Sequence, residues 1–266
     1  MGSEEIVARV KTPAFDRTLA SGEDHAFAAA LATEAGELLL ALRGSLGFAD
    51  DQHLRSQGDA LSQKLLAARL GEERPGDAVL SEEADDDHAR LSSRRVWIID
   101  PLDGTREFGE EGRVDWAVHV ALWVDGKLAA GAVALPAAGA TYSTLDPPVR
   151  TRPAAASPRL VVSRTRPPKL VAELCEQIAG ELVPMGSAGA KAMAVVSGEA
   201  DAYVHTGGQY EWDSAAPVAV ALASGLFASR IDGSPLAYNG RDAKLPDLVV
   251  CVPELAERLL EIVAPR

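Results

Sequence analysis

The chain has 266 residues, 47% apolar and 24% charged, and its 39 acidic and 26 basic side chains leave a formal net charge of −13. Such a composition builds a large core and rules out a disordered tail or a disulfide-stapled miniature, and the length suits one large domain or, as expected here, two packed lobes. The acidic excess disfavours nonspecific binding to nucleic acid or to an anionic membrane, so a small anionic substrate needs help from metal ions or a few placed cations.

In chain order, the opening Met1-Gly2-Ser3-Glu4-Glu5 is acidic. No segment reads as a signal peptide, and no apolar stretch reaches the roughly 18 residues of a membrane span, so a cytoplasmic location is expected. Ser21-Gly22-Glu23-Asp24 supplies a cap and early negative charge for a long helix over 28–42 that stops at Gly44. A second helix is predicted from Asp59 to Gly71, through Leu61, Leu65, Leu66 and Leu70. The period then changes: 79–81 and 95–100 read as short buried strands with carboxylates at their C-terminal ends, separated by the acidic run 82–87. Asp125-Gly126 marks a two-residue hairpin between strands over 116–124 and 127–135, and Tyr142 falls on a third antiparallel strand.

Residues 147–158, rich in Pro, Ala and Arg, read as a junction between an N-terminal lobe, 1–146, and a C-terminal lobe, 159–266. The second lobe alternates strands over 160–163, 183–185, 201–204 and 247–252 with helices over 167–179, 189–196, 213–224 and 253–263. That pattern layers helices on sheets in an α/β fold. Cys175 and Cys251 stand in no metal or redox spacing and read as buried small hydrophobes.

Three segments carry chemistry: Glu82-Glu83 after one strand, Asp100-Pro101-Leu102-Asp103-Gly104-Thr105 after another, and Trp212-Asp213 opening a helix, where Asp213 can act as the N-cap. Carboxylates without a His or Cys companion suit a hard cation such as Mg²⁺. Pro101 turns the chain so that Asp100, Asp103 and the Leu102 carbonyl can face one point, while Gly104-Thr105 starts a helix whose free N–H groups suit a phosphate. Glu83 and Asp85 to Asp87 read as a solvated loop. Trp97 and Trp116 read as core, and His25, His53, His88 and His119 sit in no metal-binding spacing and receive no chemistry.

Ser81-Glu82-Glu83, Asp100-Pro101-Leu102-Asp103-Gly104-Thr105 and Trp212-Asp213-Ser214-Ala215-Ala216 together resemble, in order, the three motifs of the inositol monophosphatase superfamily of Mg²⁺-dependent, lithium-sensitive phosphatases. Gly104-Thr105-Arg106-Glu107-Phe108, Val162-Ser163-Arg164-Thr165 and Gly186-Ser187-Ala188-Gly189-Ala190-Lys191 are similar to segments of its CysQ branch, the 3'(2'),5'-bisphosphate nucleotidases.

The resemblance implies the αβαβα sandwich shared with fructose-1,6-bisphosphatases. It also implies one Mg²⁺ on Glu82, Asp100 and the Leu102 carbonyl, a second on Asp100, Asp103 and Asp213, and a third held weakly near Glu82. The implied catalytic set is Glu82, Asp100 and Thr105: a metal-activated water attacks in line, and the N–H groups of Gly104 and Thr105 hold the phosphoryl oxygens. Substrate contacts carried over are Asp103, Gly104, Thr105, Arg164, Ser187, Lys191 and Asp213, with Tyr203, His205, Tyr210 and Trp212 as candidates to meet an adenine. In the family the threonine pairs with an aspartate on an early helix. Here Leu65 occupies the position expected for that aspartate and Asp59 lies too early, so the partner of Thr105 stays open.

The substrate so implied is adenosine 3',5'-bisphosphate or its sulfated relative, in sulfur metabolism, with inositol monophosphate or fructose 1,6-bisphosphate as alternatives. A haloacid-dehalogenase mechanism is a weaker rival, because two residues separate Asp100 from Asp103 and no early nucleophilic loop is present. A noncatalytic Ca²⁺ module is weaker still, since the EF-hand glycine and terminal glutamate are missing. A small phosphate ester is the expected partner, with a homodimer as one option for the assembly.

Overall fold

The computed structural model describes residues 14–86, 88–150 and 155–263. The acidic opening at residues 1–5, Asp87 of the acidic run and residues 151–154 of the proline-rich segment lie outside the described residues. Helix α1 (Gly22–Leu46) starts with a capping box: Ser21 Oγ accepts the Asp24 N–H at 3.1 Å, and the Asp24 carboxylate accepts the Ser21 N–H at 3.0 Å. By length and composition this helix could cross a bilayer, contrary to the sequence expectation. In the fold, its Phe27, Leu31 and Leu39 are spent on the first core.

Helix α2 (Asp51–Glu73) begins at Asp51 rather than near Asp59, because Asp50 caps it by accepting the His53 N–H at 2.9 Å. Gly58 makes the early turns look weak as helix. It is required by packing, since a Cβ there would lie 2.7 Å from Phe108 Cε1 and 2.9 Å from Leu102 Cδ2.

The first sheet runs in the order β1 (Ala78–Ser81), β2 (Arg95–Asp103), β3 (Ala117–Val124), β4 (Lys127–Leu135) and β5 (Ala140–Ser143). Its β1–β2 pair is parallel and the others antiparallel, with Asp125 (φ 46°) and Gly126 (φ 99°) forming the expected tight hairpin. Alternation on β2 divides the cores. Trp97 and Ile99 pack with Leu31, Leu54 and Leu66 of α1 and α2, while Val96 and Ile98 join the second core.

A four-residue helix α3 (Thr105–Phe108) follows β2. The second sheet, in the order β7-β6-β8-β10-β9, comprises β6 (Arg159–Ser163), β7 (Glu181–Met185), β8 (Ala202–Tyr210), β9 (Phe227–Ser229) and β10 (Lys244–Cys251). Helix α4 (Lys169–Gln177) packs with the C-terminal helix on the outside, and α5 (Ala188–Ser197) and α6 (Glu211–Ala223) fill the space between the sheets. Helix α7 (Pro253–Val263) completes the five layers αβαβα. Both cysteines are free and buried, and Trp97 and Trp116 are fully buried.

Candidate active site

The site is built around an irregularity at the end of β2. Asp100 pairs with His119 and Asp103 with Ala117, so β2 holds one more residue than β3 between the same two points. Pro101, which has no N–H for the ladder, sits in this bulge. Residues three apart on a regular strand face opposite sides, and the extra residue resets the phase so that both carboxylates reach the same side. The turn is fastened by the Leu102 N–H donating to Asp100 Oδ1 at 3.0 Å and by Ser62 Oγ donating to the Pro101 carbonyl at 2.7 Å. Gly104 then turns the chain at φ 85°, where a Cβ would stand 3.0 Å from the Ser187 Cβ.

Asp213 completes the cluster from the first turn of α6. Carboxylate oxygens of Asp100, Asp103 and Asp213 lie within 4.8 Å of one another. Asp213 is not the N-cap that the sequence suggested. The helix starts two residues earlier, and Asp213, third in the helix, accepts the Tyr210 N–H at 2.6 Å. Glu82 follows β1 directly, on a turn where the residue as a whole is exposed but its carboxyl faces inward beside that of Asp100.

The cluster carries more negative charge than the neighbouring cations His119 and Lys191 offset. Burial, then the charges of Asp103 and Glu82, raise the Asp100 pKa well above the usual carboxylate range. Burial, then Asp213 and Asp103, push Glu82 up to about 7, and burial, then Asp103, pushes Asp213 to about 6. An all-oxygen donor set of crowded, partly desolvated carboxylates fits a hard divalent cation.

Asp103 behaves differently from its neighbours. Burial alone would raise its pKa, but the contact and charge of His119, the charge of Lys191 and the Ser187 hydroxyl hold it below the usual range. Its Oδ2 accepts from Ser187 Oγ and from the Gly189 N–H, both at 2.6 Å, and its Oδ1 accepts from the Ala188 N–H at 3.1 Å. The first turn of α5 therefore grips Asp103 and leaves lone-pair capacity on Oδ1 for another partner.

His119, to which the sequence assigned no chemistry, is fully buried. Its Nε2 stands 3.2 Å from Asp103 Oδ2, and its Nδ1 bonds the Trp212 carbonyl at 2.9 Å. Burial lowers its pKa, but the Asp103 contact outweighs this and keeps it raised.

The open question about Thr105 has an answer in the structure. Asp59 Oδ1 lies 3.5 Å from Thr105 Oγ1, whose single hydroxyl proton can go to it or to the Leu102 carbonyl at 3.0 Å. Asp59 is therefore not too early. Because α2 starts at Asp51, Asp59, Ser62 and Gln63 form one stripe facing the ends of β1 and β2, with Gln63 Oε1 accepting from Ser81 Oγ at 2.7 Å. Leu65 instead packs against the first core. Burial, then the charge of Glu83, raises the Asp59 pKa to about 6.

Beside Thr105 opens a cleft of about 300 Å³, lined by Gly104, Arg106, Arg164, Arg166, Ser187 and Lys191 among others. Arg164 is already paired, with Glu107 at 2.6 Å and Glu110 at 2.5 Å. Lys191 is buried, and its ammonium donates to the carbonyls of Gly186 and Ser187. Arg106 and Arg166 are exposed and make no ion pair among the described residues. Ser163 and Arg166 also line an adjoining 210 Å³ pocket walled by Tyr203, His205 and the Gly207-Gly208 irregularity of β8. Tyr203 is buried, its hydroxyl accepting from Gln209 Nε2 at 3.0 Å. Trp212 stacks on the exposed Tyr210 with centroids 4.7 Å apart.

Residues 22–265 match the family model described as "Inositol monophosphatase family". The chain is 53% identical over 252 residues to the 3'-phosphoadenosine 5'-phosphate phosphatase of Mycobacterium leprae, covering 90% of this chain and 93% of that protein. Among solved structures, inositol monophosphatase-II from Staphylococcus aureus superposes with a TM-score of 0.77 at 22% identity, covering 92% of this chain and 96% of that one. CysQ from Bacteroides thetaiotaomicron superposes with a TM-score of 0.73 at 25% identity, covering 88% and 98%.

Proposed function

The chain belongs to the inositol monophosphatase family, and from that premise we propose that it removes the 3'-phosphate of adenosine 3',5'-bisphosphate to leave AMP and phosphate. The sulfated nucleotide is a second substrate, and the setting is sulfur metabolism in the cytoplasm. The observation that carries the substrate is the 53% identity, across 90% of the chain, to a phosphatase named for that nucleotide.

The cofactor would be Mg²⁺, in two or three ions: Glu82, Asp100 and the Leu102 carbonyl would hold one, the clustered Asp100, Asp103 and Asp213 a second, and a third would sit weakly near Glu82. Lithium would inhibit by taking one of these positions in place of Mg²⁺. When bound, the cations supply Lewis acidity toward the phosphoryl group and lower the pKa of water.

The protein supplies the rest. Thr105 Oγ1, between Asp59 and the Leu102 carbonyl, orients the attacking water, and Asp59 takes its proton. The N–H groups of Gly104 and Thr105 precede the α3 hydrogen-bond ladder and hold phosphoryl oxygens. Ser187 and the first turn of α5 fix Asp103 for its part in binding the reacting end.

Arg106 and Arg166 take the second phosphate, because Arg164 is spent on Glu107 and Glu110 and shapes the wall instead. The adjoining pocket with Tyr203 and His205 receives the base, with Trp212 and Tyr210 at the rim. In this reading the lobe 1–146 contributes most metal ligands and the lobe 159–266 contributes Asp213 and the substrate walls.

A phosphate-release panel with Mg²⁺ tests the proposal. The bisphosphate nucleotide should exceed inositol monophosphate and fructose 1,6-bisphosphate in kcat/KM, and a large margin for inositol monophosphate would defeat it.

A further inference from the structure

The turn carrying Glu82 and the first turn of α6 carrying Asp213 come from distant parts of the chain, and the loop that begins at Glu82 meets the start of α6 through side-chain and backbone hydrogen bonds. A contact that is not itself a ligand can brace the two turns against each other. Arg90 occupies the place for one. It lies in the 3₁₀ turn Ala89–Ser92, at the far end of the loop that begins at Glu82, and its side chain is only 1% exposed.

Each nitrogen of its guanidinium is engaged. Nε donates to both Asp86 carboxylate oxygens at 3.1 Å and Nη2 to Asp86 Oδ2 at 2.7 Å. Nη1 donates to Asn239 Oδ1 at 2.6 Å and Nη2 to the Gly240 carbonyl at 2.9 Å, while Asn239 Nδ2 returns a bond to the Arg90 carbonyl at 3.4 Å. The same two residues clasp the helix: the Asn239 N–H donates to Glu211 Oε2 at 2.7 Å, and the Gly240 N–H to Glu211 Oε1 at 2.8 Å. Glu211 is the first residue of α6, two before Asp213. The backbone of Asn239 is left-handed, at φ 61°, to present both groups. Asp86 is thus one half of an ion pair and not a bystander in a solvated acidic run.

We propose that Arg90 is a positioning residue for the metal site, a buried guanidinium that braces the Glu82 loop against the Asp213-bearing turn through Asn239 and Gly240. The inference rests on the reading of Glu82 and Asp213 as metal ligands. Arg90 donates nothing to the cation, so its contribution is preorganisation, and it acts on metal affinity more than on the maximal rate. A lysine keeps the charge but cannot span Asp86, Asn239 and Gly240 at once.

The test uses full-length Arg90→Lys, Asn239→Gly and Arg230→Lys. Asn239→Gly keeps the left-handed backbone and deletes the amide side chain. Arg230→Lys is a control on a comparable fork, Arg230 with Asp247 at 2.6 Å. Metal-free proteins are titrated with Mg²⁺ and Mn²⁺ by isothermal calorimetry, and the Mg²⁺ dependence of kcat is measured in parallel.

Arg90→Lys should weaken cation binding by about tenfold to a hundredfold and Asn239→Gly by roughly threefold to tenfold, with Arg230→Lys within about twofold and all kcat values at saturating metal within about threefold of wild type. Should Arg90→Lys fail to fold, as judged by circular dichroism, Asn239→Gly decides. Wild-type binding that the folded Arg90→Lys or Asn239→Gly variant reproduces within about twofold overturns this inference alone. A wild-type protein that binds neither cation overturns the metal reading and this inference with it.

Discussion

Replacing Asp213 with Asn should make the metal-free protein more stable and the enzyme inactive. Two routes give the size of the effect. Carboxylate oxygens of Asp213, Asp103 and Asp100 lie within 4.8 Å of one another. At that separation and an effective dielectric constant of ~20, one pair of like charges costs roughly 3.5 kcal/mol. Independently, the Asp213 pKa stands at about 6 instead of 3.8, through burial and then the charge of Asp103. That displacement disfavours the ionised form by roughly 3 kcal/mol.

Since the folded pKa lies above the unfolded one, the native state binds more protons between these values. Stability of the metal-free protein therefore falls as pH rises from about 4 to about 6, and stays lowered above that. Asparagine removes the penalty, and its Oδ1 can still accept the Tyr210 N–H, so only the charge assistance of that bond is given up, roughly 1 kcal/mol. A net gain of about 1–2 kcal/mol at pH 8 corresponds to a rise in Tm of roughly 2–8 °C for a chain of this size. Scanning calorimetry in a chelator and again in Mg²⁺ measures it: wild type should gain stability from Mg²⁺, while Asp213→Asn starts higher, gains little and does not turn over. A variant less stable than wild type in the chelator, or one with near wild-type turnover, would refute the reasoning.

Asp59→Asn should lower kcat by about 10²–10⁴-fold and abolish the acid limb of the rate profile. That limb falls near pH 6 because only ionised Asp59 accepts a proton and its pKa is raised to about 6, so activity is lost as pH drops through that value. Gly104→Ala places a Cβ 3.0 Å from the Ser187 Cβ at a φ of 85°, and calorimetry should show a loss of roughly 1–3 kcal/mol together with reduced turnover. Arg106→Ala with Arg166→Ala should raise KM for the bisphosphate nucleotide by about tenfold or more while leaving KM for a nucleoside 3'-monophosphate little changed, since a charged hydrogen bond is worth roughly 1.5–3 kcal/mol.

The carboxylate cluster was legible because its chemistry is local: each motif follows a strand or opens a helix, and oxygen-only carboxylates in that order suit a hard cation. What stayed hidden depends on where distant elements meet. The Asp100–His119 pairing joins strands separated by a long connection, and nothing local to His119 announces it. Asp59 was misjudged because Gly58 and a polar first turn masked the start of α2, although the Asp59, Ser62, Gln63 stripe shows plainly once the helix is extended back to its Asp50 cap. The β2 bulge brings two carboxylates to one side of a strand whose regular period would separate them. Arg164 appeared available to substrate because its partners, Glu107 and Glu110, lie more than fifty positions away. Strand β9 escaped because it is only three residues long.

The most direct measurement is the identity of the product when adenosine 3',5'-bisphosphate is incubated with the protein and Mg²⁺, followed by phosphorus NMR. The account predicts loss of the 3'-phosphate resonance with equal growth of adenosine 5'-monophosphate and inorganic phosphate, and no reaction in a chelator. Release of the 5'-phosphate, turnover that survives chelation, or no turnover of this nucleotide would contradict it.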